Sequence, residues 1–348
     1  MGRDKVILLG ATGTTGGSII NGLLEDGGFH VSVLVRLSSS SKPAVKSLRD
    51  RNVDICIADI TTDNFESIVD ILTRFDIVIS AIGADAQLCQ LRLIDAAKVA
   101  GVKRFVPCGF ITVAPAGGIM DIRDEKETVY QHLWKAYVPY TIIDVGFWYQ
   151  ISYPRLPSGR VDYAIPIKMP LKLYGNAGLA TAITDLRDIG RYVARIIRDP
   201  RTLNQKVFAY GELVSQQGAA ELLGKLSGEQ IEFHDHVSLV NSPHLAARQI
   251  DLRALCIQVD SNQMLANMEE AKATLLHNPT DYKARFEVIV AQYQYSMYVR
   301  GDNHPSYAAY LGYLDGTKLY PDFKRISFES CLKEILRGDG FRINPGNI

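Results

Sequence analysis

The sequence predicts an α/β fold, a doubly wound parallel sheet followed by a smaller, mostly helical C-terminal domain. Three observations predict it. Short apolar runs alternate with helical segments from residue 5 to residue 146. The first run ends at Gly10, and Gly13 and Gly16 then open an apolar-periodic stretch, which reads as strand, tight turn, helix. From Phe147 onward the alternation stops, and Trp148, Tyr149, Tyr153, Pro154, Pro157, Pro166 and Pro170 crowd in.

The elements follow in order. Residues 5–9 form the first strand and residues 29–36 the second. The stretch 37–43, with serines at 38–41, is expected to be a loop. Residues 53–59 are a strand and 64–74 a helix. The run 76–83 is apolar but for Asp76 and Ser80 and reads as a parallel strand covered on both faces. Residues 88–100 are helical, 104–107 a strand, 129–136 helical and 140–146 a strand. Thr184 with Asp185 reads as a helix start, the helix reaching residue 197. Helices are expected at 216–227, 246–275 and 281–298. The division is a dinucleotide-binding domain over 1–150 with a return segment at 180–207, a second domain over 151–337, and a fraying tail at 338–348.

Composition narrows the function. Of 348 residues, 38 are Lys or Arg and 38 are Asp or Glu, so the formal net charge is zero. That argues against a nucleic-acid footprint and supports no polybasic membrane contact. Cys56, Cys89, Cys108, Cys256 and Cys331 are scattered, odd in number and without a C-x-x-C spacing, as in a reducing, cytoplasmic protein. The apolar run at 6–9 is too short for a signal peptide, and no run is long enough to span a membrane. His234-Asp235-His236 lacks a third partner group, so no metal is expected.

The glycine turn points to a dinucleotide. Gly10 and Gly13 let backbone approach a pyrophosphate, and Gly16 lets the helix pack close to the strand. Thr12, Thr14 and Thr15 lie between them, and the helix N-terminus favours an anion. The spacing is G-x-x-G-x-x-G rather than G-x-G-x-x-G. At the end of the second strand stands Arg36, and no acid follows until Asp50. Arg36, with Lys42 as a second cation, suits the 2′-phosphate of NADPH. The plainer reading of Arg36 is a solvated strand-end residue.

Taken together the motifs resemble those of the NmrA-like, or isoflavone-reductase-like, family of atypical short-chain reductases, in its fungal form. The resemblance rests on Gly10-Ala11-Thr12-Gly13-Thr14-Thr15-Gly16, Val35-Arg36, Asp76-Ile77-Val78-Ile79-Ser80, and Ala100-Gly101-Val102-Lys103-Arg104-Phe105-Val106-Pro107. It continues through Val138-Pro139-Tyr140-Thr141, Asp188-Ile189-Gly190, Asp199-Pro200-Arg201-Thr202-Leu203-Asn204 and Leu319-Tyr320-Pro321-Asp322. It implies an NADPH-binding Rossmann domain whose cofactor also meets Ala81, Pro107 and Cys108, a smaller substrate domain, and a site in the cleft between them. It implies small, often aromatic or polyketide-like substrates, and a catalytic lysine starting the helix before the Pro-Tyr-Thr strand, which here is Lys126. One departure is clear. Where the family reads Pro-Ser-acid-aromatic-Gly, this chain reads Pro107-Cys108-Gly109-Phe110-Ile111.

Hydride delivery builds negative charge on the acceptor, and a lysine can donate a proton or a positive charge to it. Lys126 and Tyr130 are four apart and share a helical face, so as a catalytic pair they could anchor the cofactor's ribose hydroxyls and relay a proton. The competing reading makes Lys126 an exposed residue paired with Glu125 and Glu127. The Tyr-x-x-x-Lys pattern of other short-chain reductases occurs only at Tyr320, where Pro321 intervenes. Phe110, Phe147, Trp148 and Tyr149 either line a substrate pocket or pack as core. The expected function is an NADPH-dependent reductase of a small molecule, acting as monomer or homodimer. A non-catalytic dinucleotide sensor and a redox-neutral enzyme are the alternatives.

Overall fold

The computed structural model describes residues 2–165, 172–231, 233–235 and 256–343. In chain order the first half runs β1 (Asp4–Leu9), α1 (Thr14–Asp26), β2 (Phe29–Val35), α2 (Pro43–Asp50), β3 (Asp54–Ile57), α3 (Phe65–Leu72), β4 (Ile77–Ser80), α4 (Gln90–Ala100), β5 (Arg104–Val106), α5 (Asp121–Lys135) and β6 (Thr141–Asp144). The second half adds β7 (Phe147–Trp148), β8 (Lys172–Tyr174), β9 (Thr181–Thr184), α6 (Leu186–Arg198), β10 (Gln205–Phe208), β11 (Glu212–Val214), α7 (Gln216–Ser227), β12 (Phe233–Asp235), β13 (Cys256–Val259), α8 (Ser261–His277), α9 (Tyr282–Tyr295) and β14 (Tyr313–Asp315).

The sheet is parallel, in the order β3-β2-β1-β4-β5. A bridge from Phe105 to Tyr140 joins it to a second parallel set, β6-β10-β14. Strand alternation sorts the core into two layers. Val6 and Leu8 face one side, against Ile19, Leu23, Ile189 and Val193 of α1 and α6. Ile7 and Leu9 face the other, against Ile68, Leu93, Val129 and Leu133 of α3, α4 and α5. Helices therefore cover both faces, which is why these strands read as unbroken apolar runs.

Arg104 ties the sheet to α6. Its side chain is buried and donates to Thr141 Oγ1 (3.1 Å), Thr202 Oγ1 (2.7 Å) and the Ile196 and Asp199 carbonyls (3.1 Å each). Those carbonyls close α6, where a helix runs out of its own donors. Burial pulls the guanidinium below its ordinary pKa, so polar acceptors rather than solvent hold the charge. Arg104→Met is expected to lower the unfolding free energy by about 3 kcal/mol, read in urea denaturation, because several buried acceptors lose their donor.

The structure departs from the sequence reading at several places. The serine run is a short 3₁₀ turn (Leu37–Ser39), and the unanticipated α2 follows with Pro43 in its first turn. Asp185, not Thr184, caps α6, its side chain accepting from the Arg187 amide. Of the helix expected at 246–275, residues 246–255 lie outside the described residues, and Cys256–Val259 is the strand β13, paired with β8 and β12. The helix begins only after Asp260, which accepts from the amides of Asn262 and Gln263. The expected helix at 281–298 is α9 ending in a π turn, Ser296–Arg300. The start of the tail is in contact with the rest of the chain: the Gly340 amide donates to Tyr163 Oη (2.9 Å) and Ile343 is buried in the main core. Pro166, Pro170 and His236 also lie outside the described residues.

Candidate active site

Parallel sheets of this kind bind ligands beyond the C-terminal ends of the strands, where the strand order reverses. Here that point lies between β1 and β4. Gly10 ends β1 with φ +79°, and a Cβ there would lie 2.1 Å from the Ala81 carbonyl oxygen at the end of β4. A Cβ on Gly16 would lie 2.0 Å from the Gly10 oxygen. These two glycines serve the turn's own packing before they serve any ligand. At Gly13 the neighbouring Gly10 oxygen would be 3.3 Å away, so this position is much more open. Gly13 caps α1 without a side chain, and no acid stands in the first turn. The opening of α1 is thus free of an internal carboxylate and fits an anion. Thr12 is exposed and Thr14 and Thr15 are half-buried around it. Arg36 and Lys42 are exposed near the end of β2. Asp59 lies in the field of Arg36, and its carboxyl is held below the ordinary range first by the Thr61 hydroxyl and in smaller part by that guanidinium.

Lys126 sits on α5 and is 2% exposed, which overturns the solvated, Glu-paired reading. Its Nζ donates to Gln87 Oε1 (3.0 Å) and to the Cys108 carbonyl (2.5 Å). Cys108 Sγ lies 3.8 Å from Nζ and 3.3 Å from the Ile82 carbonyl. Gln90 completes the set: its Oε1 accepts from the Cys108 amide (2.8 Å) and its Nε2 donates to the Gln87 carbonyl (3.1 Å). Gln87, Gln90, Cys108 and Lys126 are all buried. The segment after β4 and the segment after β5 are therefore stitched together around one ammonium. Its two oxygen acceptors are neutral, and the third partner is the Cys108 sulfur. Glu127 turns instead to Arg123 and Gln131.

The other expected residues scatter. Tyr130 shares the Lys126 face but is fully buried; its ring lies 5.2 Å from the Arg123 guanidinium carbon, and its hydroxyl meets no partner among the described residues. Burial, then the Asp144 charge, pushes its phenol well above the ordinary range. Phe110 is buried in the main core at φ +54°, its amide donating to the Ile143 carbonyl. Tyr149 is fully buried edge-on to Phe328 at 5.1 Å, inside a cluster of the second half. Phe147 and Trp148 are half-buried; Trp148 packs on the main core, whereas Phe147 meets Tyr293 of α9 at 6.1 Å. Tyr293, Gln87 and Gln90 carried no spacing signal; only the tertiary contacts bring them to the site. Among the described residues no His, Cys, Asp or Glu group could hold a metal, and no helix is long and apolar enough to cross a membrane.

A parallel sheet with a glycine turn at the point where the strand order reverses is the architecture of dinucleotide-binding proteins, and comparison with known proteins agrees. The chain is 40% identical over 337 residues to the asnovolin J 5′,6′-dehydrogenase of Aspergillus novofumigatus, covering 96% of each chain. It is 23% identical to a phenylcoumaran benzylic ether reductase of Ginkgo biloba, covering 97% of this chain and all of that one. The solved leucoanthocyanidin reductase of Vitis vinifera, a binary complex with NADPH, superposes with a TM-score of 0.74 at 21% identity, covering 96% and 99%. The NmrA-like family model matches residues 2–290, and the chain belongs to that family.

Proposed function

We propose that this chain is an NADPH-dependent reductase of a small aromatic or polyketide-like natural product, with Lys126 as proton donor or electrostatic stabiliser. The observation that carries the reading is the buried Lys126 ammonium, held by two neutral oxygens at the C-terminal edge of the sheet. No carboxylate neutralises it directly, so its charge is available to a developing oxyanion. The named dehydrogenase and reductase relatives support a redox role on natural products.

The open N-terminus of α1 beside Gly13, flanked by Thr12, Thr14 and Thr15, would hold the diphosphate. Arg36, assisted by Lys42, would hold the 2′-phosphate, with Ala81, Pro107 and Cys108 bordering the nicotinamide. NADPH supplies a hydride when bound. Gln87 and the Cys108 carbonyl aim the ammonium, and Lys126 meets the acceptor oxygen as charge develops on it. Phe147 and Tyr293 form an aromatic wall suited to a flat substrate. The free thiols of Cys56, Cys89, Cys108 and Cys331 support a reducing, cytoplasmic setting for a monomer or homodimer.

The test is turnover. Purified protein is incubated with NADPH and a panel of aromatic enones and ketones, and with NADP⁺ and their reduced forms. Cofactor absorbance should change with at least one pair. NADPH binding without turnover across the panel would favour a sensor and sink the enzymatic reading. Arg36→Ala should weaken NADPH by about 10-fold, the worth of one charge-assisted hydrogen bond, and leave NADH unchanged in fluorescence titration.

A further inference from the structure

Against the bend at Cys108 and Gly109 lies a second buried cluster that the chemistry above does not use. Asp144 ends β6 and is completely buried. Its Oδ2 accepts from Tyr313 Oη of β14 (2.6 Å) and from Arg123 Nη1 of α5 (3.2 Å). Arg123 is 4% exposed, reaches Glu127 Oε2 at 3.7 Å, and stands three residues before Lys126, on the same face of the helix. Its Nε, Asp144 Oδ1 and Tyr130 Oη are buried without a partner among the described residues.

The other flank of Asp144 is the chain at Gly109. A Cβ on Gly109 would lie 3.1 Å from Asp144 Oδ1 and 2.6 Å from the Ile143 carbonyl. Glycine is what lets this strand end lie flat against the carboxylate. The residue before it, Cys108, presents the carbonyl that accepts from Lys126. One carboxylate thus bears on both sides of the Lys126 contact, through Arg123 on the helix and through Gly109 on the strand end.

We propose that Asp144, with Arg123 and Tyr313, is a positioning group that fixes the Lys126 ammonium against the Cys108 carbonyl. The proposal rests on the reading of Lys126 given above. A buried ion pair with unpartnered atoms adds little net stability. Its effect is geometric: it sets the rotation of the first turns of α5 and the height of the strand end together. A shift of about 1 Å at a catalytic group can reduce rate by about 100-fold.

The experiment reads Lys126 directly as well as through turnover. Protein labelled with ¹⁵N-lysine gives the side-chain ammonium signal of Lys126, assigned by its loss in Lys126→Arg. In Asp144→Asn this signal should shift, turnover at saturating NADPH should fall about 30-fold, and NADPH affinity should hold within about twofold. The double variant Arg123→Met with Asp144→Leu removes the pair without stranding a fully buried charge, since half-buried Glu127 keeps its bond from Gln131, and should remain folded. It should show the same shift and the same loss. Tyr313→Phe leaves both charges and should lose about fivefold with a smaller shift; it decides the matter where a charge variant unfolds. A folded double variant with the wild-type signal and wild-type turnover would overturn the proposal and leave the cluster purely structural. Should no substrate be turned over by the wild type, the reductase reading fails, and the ammonium signal alone still tests the positioning.

Discussion

Lys126→Met is expected to reduce turnover by about 10²- to 10³-fold, the loss seen when one donor to a developing oxyanion is removed. Methionine keeps the length and the apolar stem, so the packing around 126 survives. What goes is the charge. NADPH affinity should change little, since the proposed phosphate contacts, the turn before α1 and Arg36, lie at other strand ends. The Gln87 and Cys108 oxygens lose their shared donor, which should lower stability by about 1–2 kcal/mol. The measurement is steady-state NADPH consumption with the best substrate of the panel, beside fluorescence titration of the cofactor and urea denaturation. Lys126→Arg is the sharper control. Its planar, longer head cannot sit on the same two acceptors, so it should fold and bind but also lose rate. Retained turnover in the methionine variant would remove Lys126 from the mechanism.

Lys126 also shows how legibility varied along the chain. The first strands were readable because a parallel strand with both faces covered is mostly apolar, as Ile77, Val78 and Ile79 are, all buried in β4. Helix α5 was readable only in its second half. It begins at Asp121, eight residues before the expected start, because Asp121 to Glu127 shows no apolar periodicity. Its buried face there is Arg123 and Lys126, so charged side chains stand where hydrophobic ones would mark a core. A charge satisfied by carbonyls and amides looks, in sequence, like a charge satisfied by water.

Residue type alone did not decide which side an aromatic faces. Phe110 and Tyr149 went to core, whereas Phe147 packs on the Tyr149 cluster from its edge and also meets Tyr293 from a helix far along the chain. The pairing of β10 with β6 on one side and β14 on the other was equally hidden, since each is a short run with no turn signal naming its partner. The glycine turn was legible, but for a partly different reason. Gly10 and Gly16 are required by the Ala81 and Gly10 carbonyls, and the more open position among them is Gly13.

Gly190→Ala is expected to be the most destabilising single change on the opposite face. Helices α1 and α6 cross with their backbones in contact. A Cβ on Gly190 would lie 1.8 Å from the Ser18 carbonyl oxygen, and one on Gly22 would lie 2.1 Å from the Gly190 carbonyl carbon. The Ser18 hydroxyl donates to the Leu186 carbonyl and accepts from the Gly190 amide at 2.9 Å, locking the crossing from within. A methyl group needs well over 1 Å of separation here, and neither partner is a side chain that can swing away. The expected loss is about 4 kcal/mol or more, in the range reserved for core overpacking with broken buried hydrogen bonds. Gly17→Ala is the matched control: its Cβ would come no closer than 3.9 Å to the Ala11 oxygen, and alanine should raise helix stability by about 0.5–1 kcal/mol. Because α1 begins at the cofactor turn, with Gly16 seated on Gly10, any splaying of the crossing also displaces that turn. Gly190→Ala protein that remains folded should therefore bind NADPH more weakly than wild type, although residue 190 lies on α6 and not at the turn. Urea denaturation and fluorescence titration on the same preparations separate the two effects, and wild-type stability in that variant would mean the helices do not meet here.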